Sequence, residues 1–182
     1  MAKTKWSLDP THSELQFKIK HLMISNVSGA LKNFQAEVET EGEDFSSARI
    51  NLIAQMDSIS TNNEQRDTHL RNSDFFEVEK YPELKFKSTK VEKADSDTFV
   101  VYGELTMKGV TKRIKLNAEF NGIVKDPWGN ERAAFTVTGK INRTDWGMNF
   151  NSVMETGGVM LGEEVKINSE LEFLKQEVGV LV

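Results

Sequence analysis

The chain has 182 residues, a mass of 20.6 kDa, 23 basic against 28 acidic residues and a net charge of −5. That balance shows no electrostatic footprint for nucleic acid or an anionic membrane, and the lack of cysteine excludes disulfides and thiolate metal sites. No apolar run approaches the roughly 20 residues of a membrane-spanning helix, so a single domain over residues 1–182 is expected, with 175–182 as a tail or an added edge strand.

The opening MAKTKWSLDP carries no apolar leader segment. A cytoplasmic location is therefore expected for the sequence as it stands, and a periplasmic one if a native leader has been removed. Leu15, Phe17 and Ile19 alternate with Gln16, Lys18 and Lys20, the rhythm of a strand buried on one face, and His21 falls on the buried phase. The next strand starts in one phase with Val27, Gly29 and Leu31 and continues in the other with Phe34, Ala36 and Val38, which predicts a bulge near Lys32-Asn33. A polar turn over 41–46 leads to a third strand with Ala48, Ile50, Leu52, Ala54 and Met56 inward.

The two-residue rhythm then breaks over 57–76, DSISTNNEQRDTHLRNSDFF. Thr61 and Glu64 read as a capping box opening a helix that runs to Leu70, and Asn72, Ser73 and Asp74 end it. So short a helix is marginal alone, so Leu70, Phe75 and Phe76 must dock on an apolar surface. Tyr81-Pro82 restores extended backbone for a strand with Leu84, Phe86 and Ser88.

Phe99, Val101, Gly103, Leu105 and Met107 then point one way, Lys108-Gly109-Val110-Thr111 reverses the chain, and Ile114, Leu116, Ala118 and Phe120 return, a hairpin. Turn formers over 126–130 precede Ala133, Phe135, Val137, Gly139 and Ile141. After a less regular stretch the chain closes with Val165, Ile167, Ser169, Leu171 and Phe173. The expected fold is all-β, an eight-stranded antiparallel barrel or sandwich with one short helix inserted after the third strand. The small inward residues Gly29, Ala36, Ala48, Ala54, Gly103, Ala118, Ala133, Gly139 and Ser169 are compatible with a ligand cavity and equally with small residues filling a tapering core.

Several patterns together resemble the YceI family of bacterial lipid-binding proteins. They are Trp6-x-Leu8-Asp9-Pro10-x-His12-Ser13, Phe17-x-Ile19-x-His21, Ser58-Ile59-x-Thr61, Arg66-Asp67-x-His69-Leu70, Phe75-Phe76, Tyr81-Pro82, Gly103-x-Leu105-Thr106-x-x-Gly109-Val110-Thr111 and Arg143-x-Asp145-Trp146-Gly147. The resemblance implies a lipocalin-like barrel around a long apolar cavity that takes a polyisoprenoid chain, such as that of a quinone or prenyl phosphate.

On that basis the expected lining is Phe17, Ile19, Leu52, Met56, Phe86, Phe99, Val101, Leu116, Phe120, Phe135, Val137, Ile167 and Leu171. Met148, Met154 and Met160 are adaptable neighbours. Arg66, His69 and Arg143 are the candidates for a polar head group. No cofactor is required beyond the bound lipid, and the partner is that small apolar ligand, with no nucleic acid and no membrane span.

Asp67 and His69 lie two apart and so on different helix faces, and no nucleophile elbow, phosphate loop or metalloprotease motif is present, so no catalytic residue and no metal are assigned. His12 beside Asp9 and Ser13 reads as a turn-stabilising group, and Trp128 and Trp146 as packing residues by default, with a portal role as the alternative. The rival readings are a small lipid-modifying enzyme and a packed, ligand-free barrel acting by protein contacts. Unpaired edges or the tail would allow a homodimer.

Overall fold

The computed structural model describes residues 2–152 and 160–176. Strand β1 (Lys3–Leu8) buries Thr4 and Trp6 and exposes Lys3 and Lys5, a short alternation that the sequence reading passed over. A 3-10 turn at Pro10–His12 bends the chain into β2 (Glu14–His21). β3 (Ser25–Leu31) and β4 (Phe34–Glu41) are likewise one strand broken at Lys32-Asn33, where the phase change predicted a bulge. β5 (Asp44–Gln55) ends in a 3-10 turn at Met56–Ser58, and β6 (Ile59–Ser60) follows.

Helix α1 (Glu64–Arg71) comes next, with Asn72 at its C-cap as expected. Its start differs from the predicted capping box. The N-cap is Asn63, whose side chain accepts from the Arg66 amide at 3.0 Å. Thr61 instead donates its amide (2.8 Å) and hydroxyl (2.6 Å) to Asp67 Oδ1. A buried carboxylate one turn into the helix outcompetes the exposed Glu64 because two donors converge on it out of water.

Then come β7 (Glu83–Lys93), β8 (Thr98–Met107), β9 (Val110–Lys125), β10 (Glu131–Asn142), a 3-10 turn at Arg143–Trp146, and β11 (Leu161–Lys175). The β8–β9 turn is Lys108-Gly109, both at positive φ, as a tight hairpin requires. In β9, Asn121 is an extra residue between the pairs Phe120–Phe135 and Gly122–Ala134. The bulge shifts the inward phase from Phe120 to Ile123.

Pairing runs β1-β4-β5-β7-β8-β9-β10-β11, and β11 returns to β1 through Leu8–Phe173 and Trp6–Lys175. The result is the expected closed, eight-stranded antiparallel barrel. β2 continues beside β11 where β1 leaves off, and β3 and then β6 extend the wall from there. Kinks in the first strands therefore divide eight barrel strands into eleven segments.

The hairpin turn between β4 and β5, the β9–β10 turn and the end of β11 share one end of the barrel. α1, the β2–β3 turn and the start of β11 share the other. The tail beyond Gln176, the Gly157-Gly158 pair and Met154 lie outside the described residues.

Candidate functional site

The barrel encloses a cavity of about 380 Å³, inside the roughly 300–1,000 Å³ typical of small-molecule sites. Inward alternation builds its wall. Phe17 and Ile19 come from β2, Leu52 from β5, Met56 from the turn after it, and Phe86 from β7. Phe99 and Val101 come from β8, Leu116 from β9, Phe135 and Val137 from β10, and Ile167 and Leu171 from β11. All of these were expected in the lining.

Phe120 was also expected there and is not in the wall. It is drawn into an aromatic floor, with ring centroids 5.3 Å from both Phe45 and Phe135. Trp6 lies tilted against Phe45 at 5.3 Å, Phe45 meets Phe135 edge-on at 5.0 Å, and Phe173 adjoins Phe135 at 6.2 Å. Trp6 Nε1 donates to the buried Thr40 hydroxyl at 3.1 Å, so the indole is satisfied inside the floor. Phe45 was missed because it lies in a stretch read as a polar turn; its only signal was a single aromatic residue among acids and serines.

The small inward residues divide into three sets, of which Ala36, Ala54 and Ala133 are buried core residues outside the cavity wall. Ala48, Ala118 and Ser169 face the cavity. Gly29, Gly103 and Gly139 do not provide ligand room: a Cβ at Gly29 would meet the Phe17 ring, at Gly103 the Phe86 ring, and at Gly139 the Leu116 Cδ2 at 2.5 Å. These glycines seat the large side chains of the neighbouring strands. Ser169 Oγ is buried in the wall without a hydrogen-bond partner among the described residues.

Polar groups gather at the end opposite the floor. His69, Phe75 and Phe150 pack edge to face across the mouth, with centroids 4.9 to 5.3 Å apart. His69 Nε2 lies 2.9 Å from Asp74 Oδ2, so its carboxylate partner is not Asp67, which is committed to Thr61. Arg66 fixes its Nε on the Thr61 hydroxyl (2.7 Å) and Nη2 on the Thr61 carbonyl (2.8 Å).

Arg143 is 3 % exposed. It donates through Nε to the Gly162 carbonyl (2.8 Å) and through Nη1 to the Met148 carbonyl (2.7 Å), with no carboxylate in ion-pair range among the described residues. Burial lowers its proton affinity below the usual arginine value, and Glu163 partly opposes this. All three head-group candidates line the cavity, as do Met148 and Met160. No Asp or Glu lines it among the described residues.

Elsewhere, Trp146 is buried and donates from Nε1 to the Leu105 carbonyl at 3.0 Å, as a packing residue. Trp128 corrects the expectation of packing: it is 79 % exposed on the β9–β10 turn, where Asp126 binds the backbone and leaves the indole outside. Asp9, His12 and Glu172 bring ligand atoms within 4.8 Å of one another, a convergence hidden by their sequence spacing. Arg132 Nη1 already bridges Asp9 Oδ2 (2.7 Å) and Glu172 Oε2 (3.0 Å), so a fixed guanidinium holds the place of a cation. His12 Nδ1 lies 2.8 Å from the same Asp9 oxygen, the turn-stabilising role expected.

A closed antiparallel barrel, sealed by aromatic rings at one end and crossed by a helix at the other around an apolar cavity, defines the lipocalin-like class. Within that class the chain belongs to the YceI-like domain family, which matches residues 6–173. A UPF0312 protein of Staphylococcus aureus is 43% identical over 171 residues, covering 93% of this chain and 97% of its own. One from Staphylococcus epidermidis is 42% identical over the same share.

Among solved structures, the Campylobacter jejuni YceI protein superposes with a TM-score of 0.75 at 33% identity, over 88% of this chain and 91% of that one. BcnA of Burkholderia cenocepacia (TM-score 0.79, 19% identity, 91% and 98% coverage) shares the fold. So does a polyisoprenoid binding domain from Saccharophagus degradans (TM-score 0.65, 16% identity, 94% and 98% coverage). No helix among the described residues is long and apolar enough to cross a membrane.

Proposed function

We propose that the protein binds a long-chain isoprenoid lipid, an isoprenoid quinone or a prenyl phosphate, with its tail in the barrel and its head group at the mouth beside Arg66, His69 and Arg143. The observation that carries this reading is the asymmetry of the cavity, a hydrocarbon wall over a sealed aromatic floor with its cationic and imidazole groups at the opposite end. A tail enters such a lumen by leaving water. Each methylene buried contributes about 0.8 kcal/mol, so the fifteen carbons of three isoprene units contribute about 12 kcal/mol, which leaves micromolar affinity at the low end of an association cost of about 4–15 kcal/mol. The binding-domain name carried by the Saccharophagus relative agrees in kind.

Catalysis on the lipid has less support, because among the described residues the titratable groups that line the lumen are His21 and His69 with Arg66 and Arg143, gathered at the mouth, and no carboxylate stands along the wall where the tail would lie. Carriage or storage of the lipid is the corresponding role. Native mass spectrometry of the purified protein, followed by solvent extraction, tests the reading. A co-purified or added isoprenoid quinone held at about one per chain, raising the unfolding temperature as mass action requires, is the expected result. An unliganded mass that stays unchanged with excess quinone and with excess prenyl phosphate overturns it.

A further inference from the structure

The net charge of −5 hides a local feature at the mouth. The β2–β3 turn consists of Leu22, Met23 and Ile24, exposed by 39 %, 58 % and 87 %. Leu22 and Met23 hold positive φ, a conformation that asparagine or glycine adopts at less steric cost. Three consecutive aliphatic side chains thus occupy a position suited by both conformation and exposure to small polar ones. The turn is tied to the rim, where the Leu22 amide donates to the Met160 carbonyl at 2.7 Å, and Met160, Leu161 and His21 all line the cavity.

On the outer face of the same strands, Lys18 lies opposite Lys166, and Lys166 opposite Lys140. Like charges directly across strands destabilise a sheet, yet no carboxylate reaches ion-pair distance of any of the three among the described residues. The shallow groove they form also takes in Arg113 and Lys115, with Asp145 and Glu164 its only acids among the described residues. A projecting apolar tip beside unneutralised lysines is the combination that interfacial anchors use, with aliphatic groups entering the headgroup boundary and ammonium groups meeting phosphates.

We propose that the mouth end docks on an anionic phospholipid bilayer, with the Leu22–Ile24 turn inserted and Lys18, Lys140 and Lys166 on the headgroups, so that the lumen opens where its cargo is dissolved. This rests on the lumenal lipid-binding reading for its purpose, and on the turn and the lysines for its geometry.

The test is co-sedimentation with vesicles of phosphatidylcholine alone and of phosphatidylcholine with phosphatidylglycerol. Wild type, Met23→Ser/Ile24→Ser and Lys18→Gln/Lys140→Gln/Lys166→Gln are compared, each checked for folding by circular dichroism and unfolding temperature. Wild type is expected to favour the phosphatidylglycerol vesicles and to lose that preference near 1 M salt, where the screening length falls to about 3 Å. The lysine variant should lose about fivefold in partition per charge removed, and the serine variant should lose binding to both vesicles. Wild type indifferent to phosphatidylglycerol, or a serine variant that binds like wild type, overturns the docking. Quinone retention measured without vesicles is independent of these outcomes: a protein that holds quinone but ignores vesicles refutes the docking alone, and one that docks but never holds isoprenoid refutes the lumenal reading.

Discussion

The ring of Phe86 fills the space that a side chain at Gly103 would occupy, and the Lys87 carbonyl lies 2.6 Å from the same point. Gly103 is thus part of the packing of the wall and provides no opening in it. Gly103→Ala is expected to cost about 1–3 kcal/mol by overpacking against backbone that cannot retreat, read as a lowered urea midpoint with an unchanged slope.

Ala118→Phe is the substitution that probes the lumen, since Ala118 is a buried residue of the cavity wall. The added ring should occupy the space a lipid tail would use. Isoprenoid uptake is expected to fall about tenfold or more, while the β-rich circular dichroism spectrum persists. Undiminished uptake would place the ligand elsewhere than in the lumen.

The contrast between these two positions shows what alternation conveys and what it omits. Period-two patterning placed Phe17, Leu52, Phe99 and Ile167 on the inner face correctly, because the face is a property of one strand. Whether an inward glycine is empty depends on its cross-strand neighbour. Gly29 sits opposite Phe17 and Gly139 opposite Leu116, pairings fixed by register rather than by either strand alone. Phe120 was misplaced for a related reason: its ring is taken up by Phe45 and Phe135, partners on other strands that the rhythm of β9 alone does not announce. Thr61 was legible as a group that meets the helix, but its partner had to be found in three dimensions.

The floor makes a prediction of its own. Phe45 touches Trp6, Phe120 and Phe135 at once, so Phe45→Ala should cost about 3–5 kcal/mol. It should also lengthen the lumen, shifting the preferred isoprenoid toward longer chains in a competition assay. A variant as stable as wild type would show that the aromatic floor is not a cohesive unit.

At the mouth, Asp67 accepts both donors of Thr61 on one oxygen. Asp67→Ala leaves a buried amide and hydroxyl without an acceptor, at a cost of about 3 kcal/mol, whereas Asp67→Asn retains a carbonyl oxygen and should cost about 1 kcal/mol. Hydrogen exchange should quicken over Ile59–Ser60 and Glu64–Arg71 in the alanine variant while β8 and β9 keep their protection. Uniform acceleration through the barrel would mean that α1 and the sheet open together.

Asp9 yields a pH dependence. The Thr11 hydroxyl, working against the effect of burial, and then Arg132, His12 and the Thr11 amide hold its carboxyl well below the usual aspartate range. A depressed folded value stabilises the fold above the unfolded pKa of about 3.9, and that stabilisation drains away as the pH falls below it. The unfolding temperature should therefore begin to drop near about pH 4 and keep dropping as the pH is lowered further, and Asp9→Asn should flatten that slope while lowering stability at neutral pH. Parallel profiles for the two proteins would assign the acid sensitivity to other carboxylates.

Arg143 supplies the last test, because it has two separable roles to answer for. Its guanidinium satisfies the Gly162 and Met148 carbonyls while having no carboxylate in ion-pair range among the described residues. Arg143→Met removes both functions and Arg143→Lys keeps a charge but cannot span two carbonyls with a planar fork. If the fork alone matters, both variants should lose about 2–3 kcal/mol of stability and show equal affinity for a prenyl alcohol and a prenyl phosphate. If the charge also meets a head group, the lysine variant should keep a preference for the phosphate that the methionine variant loses, with the two equally destabilised. Wild type binding alcohol and phosphate alike would remove Arg143 from the head-group site and leave it as the clasp that holds the start of β11 against the turn after β10.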